Sequence, residues 1–155
     1  MKATKRLLRS SQVAGLLIVM VIAFAPQAAY AYSCTSQQNG DWQTASTWTS
    51  CNGGTPGTSD SATVGSGHTV TMSNAGGWDA ASVTVDSGSV LRTSNRFKVT
   101  SGSFNINGTL TILGGGYVDN TGQAPVYGSS SMLRYDTNGS YNFNQEWGST
   151  QPHDV

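Results

Sequence analysis

Two tryptophans, Trp42 and Trp48, stand in the run GDWQTASTW, and two cysteines, Cys34 and Cys51, bracket them. Indoles held at a surface stack on sugar rings, whereas indoles near the end of a core bury their large apolar area. Spacing leaves both uses open, so Trp42 and Trp48 are the candidate ligand-binding residues. The cysteines lack C-x-x-C spacing and have no neighbouring histidine, which argues against a redox or metal pair. In an oxidising compartment they are expected to form one structural disulfide. Closing a loop of that size contributes about 3 kcal/mol in the chain-entropy model.

The remaining reactive side chains assemble no catalytic motif. His68 shares the parity of Val70 and Met72, so it is expected to face the core or bond within a turn, and no Ser or Cys nucleophile motif accompanies it. His153 and Asp154 are adjacent, and a neighbouring pair does not supply a closed metal-ligand set. Asp41, Asp60, Asp79, Asp86, Asp119, Asp136 and Glu146 are scattered; any two could pair for glycoside hydrolysis, and spacing selects none. GGGYVD, from Gly114 to Asp119, is similar to a calcium-binding nonapeptide repeat. Tyr117 replaces a required glycine and the motif occurs once, so it reads as a turn. Asn107-Gly108-Thr109 and Asn138-Gly139-Ser140 match the glycosylation acceptor pattern. No catalytic residue, metal or cofactor is expected.

The elements that must position these residues repeat. Between Ser61 and Asn120 the runs SATV-GSG-HTVTM, SVTV-DSG-SVLRT, FKVT-SG-SFNIN and GTLTI-LGGG-YV each alternate apolar and polar residues around a small-residue turn. A period of two is strand periodicity. Repetition of such units suggests stacked coils: a single-stranded parallel β-helix, or β-solenoid, with a β-sandwich of short antiparallel strands as the alternative. Val64, Val70, Val83, Val85, Val99, Phe104, Ile106, Leu110 and Ile112 are the expected interior, and Gly67, Gly88, Gly102 and Gly108 the expected corners. Turn signals at Ser66, Ser87, Ser101 and Gly114 are unequally spaced, so two short units were expected to make one turn of the solenoid.

Residues 1–31 read as a secretory signal. Lys2, Lys5, Arg6 and Arg9 precede an uncharged apolar stretch from Val13 to Ala25, too short to span a bilayer comfortably. Pro26 and the small residues of Ala29-Tyr30-Ala31 then place cleavage between Ala31 and Tyr32. This leaves residues 32–60 as a disulfide-stapled N-terminal cap and 61–155 as coils, with no transmembrane segment after cleavage. Those four cations are half of the 8 Lys+Arg, while all 8 Asp+Glu follow the signal, so the mature part carries a net charge of −4. Only Arg92, Arg96, Lys98 and Arg134 remain as cations, too few to serve a nucleic acid.

The order Trp42, Trp48, Pro56, Asp60, strand, then Gly67-His68-Thr69-Val70-Thr71 resembles the start of bacterial secreted and surface-displayed β-helix proteins, including the domain named for its eight glycines. The stretch SMLRYDTNGSYNFNQEWGSTQPHDV is similar to the same class. The resemblance implies export to the medium or cell surface, and a non-enzymatic module that supports adhesion, matrix or polysaccharide contact. An alternative is the N-terminal accessory segment of a secreted carbohydrate-active enzyme, a lyase or hydrolase, whose catalytic part lies beyond this chain. Gln151-Pro152-His153-Asp154-Val155 resembles a lead-in to a further strand, so the coils are expected to continue past Val155. An uncapped solenoid end would then be open to self-association.

Overall fold

The computed structural model describes residues 30–155 apart from 53, 66, 139–140 and 142–143. The apolar stretch of the signal therefore lies outside the described residues. Among those described, no helix is long and apolar enough to cross a membrane. The architecture is all-β, with one 3-10 turn at Ala45–Thr47.

A cap of three short strands, β1 (Ser33–Ser36), β2 (Gly40–Asp41) and β3 (Trp48–Thr49), opens the fold. The first coil follows as β4 (Ser61–Val64), β5 (Thr69–Met72) and β6 (Trp78–Ala80), and the second as β7 (Ser82–Val85), β8 (Val90–Thr93) and β9 (Arg96–Val99). The third contains β10 (Phe104–Ile106), β11 (Thr109–Leu113) and β12 (Tyr117–Val118), and the fourth β13 (Val126–Tyr127) and β14 (Met132–Asp136). Equivalent strands stack into three sheets. The first runs β13-β10-β7-β4-β1-β3, the second β14-β11-β8-β5-β2, and the third β12-β9-β6. Every pairing between coils is parallel, and only β1 with β3 is antiparallel. The chain is a β-solenoid and not a sandwich.

The first three coils have three strands each, which corrects the expectation of two short units per turn. Register shows the repeat: Ser61 pairs with Ser82, Val83 with Phe104, and Asn105 with Val126, a step of 21 residues each time on the first sheet. The turn signals looked irregular because they belong to different corners. Gly67 and Gly88 turn the chain from the first sheet into the second, with φ of 74° and 79°, a region a Cβ would penalise. Gly102 lies between the third sheet and the first, and Gly115 between the second and the third. At Gly108 a Cβ would collide with the carbonyl oxygens of Asp86 and Ser89 in the coil above.

Alternation then fills the interior. Ala62, Val83 and Phe104 form one inward column, Val64, Val85, Ile106 and Tyr127 a second, and Val70, Leu91, Leu110 and Leu133 a third. All nine residues expected inside are buried. Each such aliphatic side chain contributes roughly 1.5–3 kcal/mol by leaving water.

Aromatic rings cover the N-terminal end of this core. Trp42 packs edge-on against Trp48 at 4.9 Å and Phe97 at 5.7 Å, and Phe97 meets Phe104 at 5.4 Å. The disulfide joins Cys34 to Cys51 and ties β1 to the loop after β3. At the other end Glu146 is wholly buried. Its carboxylate accepts hydrogen bonds from the Val118 N–H at 2.8 Å, the Tyr141 hydroxyl at 2.6 Å and the Asn144 N–H at 2.7 Å. The Val118 N–H would otherwise sit unpaired at the edge of the third sheet, where a following strand would satisfy it. Asp154 pairs in parallel with Met132, the position of a further rung on the second sheet.

Candidate functional site

Burial decides the position of the two indoles. Trp42 is 0 % exposed and Trp48 4 %, and the Trp48 Nε1–H donates to the Trp42 carbonyl at 2.8 Å. Neither ring offers a face on which a sugar could stack. They are core side chains of the cap, as their area favours. His68 lies at the corner between the first and second sheets, its Nδ1 3.0 Å from the Ser36 hydroxyl, which also accepts from the Gly65 N–H. It is turn-bonded.

The carboxylates are distributed and mostly engaged. Asp60 is buried and accepts backbone N–H bonds from Tyr32 and Gly57, both at 2.8 Å. Asp41 accepts from the Ser73 hydroxyl and the Gln43 N–H. On the third sheet Arg96 bridges Asp79 at 2.6 Å and Asp119 at 3.1 Å. Burial works against the charge of Arg96, but its bonds to and attraction by the two aspartates outweigh that and raise its pKa. Asp119 is lowered, first by the Thr121 hydroxyl and N–H and then by Arg96. A guanidinium between Asp79 and Asp119 makes them a structural clamp, not an acid and base flanking a substrate. The glycines of GGGYVD form the turn between β11 and β12. Among the described residues no group of three or more His, Cys, Asp or Glu could hold a metal ion.

The parity that fills the core also builds the outer faces. The first sheet presents Ser33, Ser61 and Ser82 in one column and Thr35, Thr63, Thr84 and Asn105 in the next. Neighbours within a column repeat at the strand spacing of about 4.8 Å, and the Ser82 hydroxyl donates to that of Ser61 at 2.7 Å. The second sheet presents Thr69, Val90, Thr109 and Met132 in one column and Asp41, Thr71, Arg92, Thr111 and Arg134 in the next. Arg92 and Arg134 both approach one oxygen of Asp136, at 3.6 and 3.9 Å. Thr111 points outward yet is only 4 % exposed, because it stands between the two long arginine arms.

In the sequence alone Arg92 and Arg134 are two of four scattered cations, and the column they form does not show. A signal exists: Ser89-Val90-Leu91-Arg92 and Ser131-Met132-Leu133-Arg134 share the pattern S-x-L-R. Their separation is two coils, and this is evident only once the coil length is known. Comparison with protein-family models, with curated proteins and with solved structures gives no match.

Proposed function

We propose that this chain is a non-enzymatic extracellular or cell-surface β-helix module that supports adhesion through matrix or carbohydrate contact. Its likeness to secreted bacterial β-helix proteins, the signal-like leader and the Cys34–Cys51 bridge support export. The observation that carries the contact role is the pair of hydroxyl columns on the first sheet, which set one polar group per coil along the solenoid axis. A ladder with a fixed repeat suits a polymer with its own repeat, since each added unit finds the same partners. Affinity then accumulates from individually weak contacts.

A polysaccharide array probed with the purified chain tests this, together with an assay for new reducing ends and unsaturated sugars. Retention on at least one polysaccharide without cleavage is expected. Cleavage would overturn the non-enzymatic reading in favour of a carbohydrate-active enzyme, and no retention on any polymer would overturn carbohydrate contact.

A further inference from the structure

We infer that the outer face of the second sheet is a binding site for a carboxylated polysaccharide, with Arg92 and Arg134 as its recognition pair. This rests on the carbohydrate-contact reading above and assigns it a place and a ligand class. A shallow cavity of about 250 Å³ lies there, lined by Thr69, Val90, Arg92, Thr111, Arg134 and Asp136.

The first argument is unused bonding capacity. A guanidinium carries five N–H donors in a rigid fork that matches a carboxylate. Arg96 on the neighbouring sheet spends its fork on two aspartates within hydrogen-bond distance. Arg92 and Arg134 instead share one carboxylate oxygen at ion-pair distance, beyond hydrogen-bond reach, and neither guanidinium donates a hydrogen bond among the described residues. Two guanidiniums converge on one carboxylate oxygen, so most of their N–H donors have no protein acceptor.

The second argument is the contrast with the rest of the molecule. Beyond the leader the chain carries −4 overall, so two guanidiniums that share one carboxylate are out of character. Lys98 stands in register with Asp79. Asp41, in register with Thr71, and Asp154, beside Met132, mark the two ends of the second sheet. Two arginines bounded by acids on an acidic protein suit a polymer of modest charge density and not a nucleic acid, which needs many phosphate contacts.

The third argument is the adjoining column, where hydroxyls of Thr69 and Thr109 alternate with the apolar side chains of Val90 and Met132. Sugar rings present both hydroxyls and apolar C–H faces. Val90 is half-buried and Met132 exposed, so each is reachable. Asp136, half exposed, holds the place that a ligand carboxylate would take.

Calorimetric titration of the purified full chain with polygalacturonate, with its fully methyl-esterified form and with dextran sulfate separates the outcomes. Polygalacturonate is expected to bind at least about tenfold more tightly than the ester, because two charge-assisted contacts are lost on esterification. Arg92→Gln with Arg134→Gln should weaken binding by a similar factor, whereas Lys98→Gln should leave it unchanged. Asp136→Asn should tighten it several-fold by removing the internal competitor. If the double variant does not fold, Asp136→Asn and the charge-retaining Arg92→Lys, expected to bind in between, decide instead.

Equal binding of acid and ester would overturn the arginine assignment and leave glycan contact standing. Binding of none of the three, with no polymer retained on the array, would overturn both. Dextran sulfate bound as tightly as polygalacturonate, or Lys98→Gln as costly as the arginine changes, would reduce the site to general polyanion attraction and overturn the carboxylate claim.

Discussion

Asp60 has both carboxylate oxygens occupied by backbone donors, and one donor is the Tyr32 N–H at 2.8 Å. Cleavage between Ala31 and Tyr32, the processing we propose, would turn that nitrogen into an α-ammonium already in contact with a buried carboxylate. A charge-assisted bond is about twice as strong as a neutral one, so a chain beginning at Tyr32 should be more stable than one retaining Ala31 by about 1 kcal/mol. Paired thermal melts of the two chains would show this, and Asp60→Asn should abolish the difference. Equal melts before that substitution would contradict it. Tyrosines at the opposite end give a pH dependence. Burial and then the Glu146 charge raise Tyr135 to about 12, and burial followed by the same carboxylate raises Tyr141. Their folded pKa values lie above the unfolded value of about 10, so the stability they contribute is full below pH 10 and is lost as pH rises through 12. An alkaline titration followed by phenolate absorbance should show a fraction of tyrosines resisting ionisation until the fold gives way. One phenolate transition near the free value with the fold intact would contradict this. Neither arrangement was legible beforehand: Asp60 and Glu146 are single acids that each have one partner 28 residues away, at Tyr32 and Val118.

At the scale of the strand, parity was legible because a period of two needs only local sequence. It placed Ile106 inward and Thr71 outward, and the structure agrees: Ile106 is fully buried between Val85 and Tyr127, while Thr71 stands in the outer column beside Arg92. Ile106→Asp should therefore unfold the chain or cost more than about 3 kcal/mol, since it buries an unpaired carboxylate. Thr71→Asp should change stability by less than about 1 kcal/mol. Chemical denaturation of the two variants checks this, and similar midpoints would contradict the assigned faces. The three sheets were less legible, because Ser-Gly turns at different corners look alike in sequence. Gly67 and Gly88 share a corner, while Gly102 and Gly115 belong to two others. The arginine column was hidden for the same reason, since only a known coil length brings Arg92, Thr111 and Arg134 into line.

For the molecule as a whole, every functional statement depends on the coil register. The hydroxyl ladder and the arginine pair exist only if equivalent strands stack in parallel about 21 residues apart. Aromatic packing and the disulfide secure one end of that stack, and Glu146 with its three donors ties the segment after β14 to β12. The direct measurement is a nuclear Overhauser experiment on isotope-labelled chain, which reads proximity between backbone protons of neighbouring strands. The account predicts contacts linking Thr63 to Thr84, Thr84 to Asn105, and Arg92 to Thr111 to Arg134, with the pattern of parallel pairs. Cross-peaks joining strands adjacent in sequence, such as Ser61–Val64 with Thr69–Met72, in an antiparallel pattern would contradict it and remove both outer faces at once.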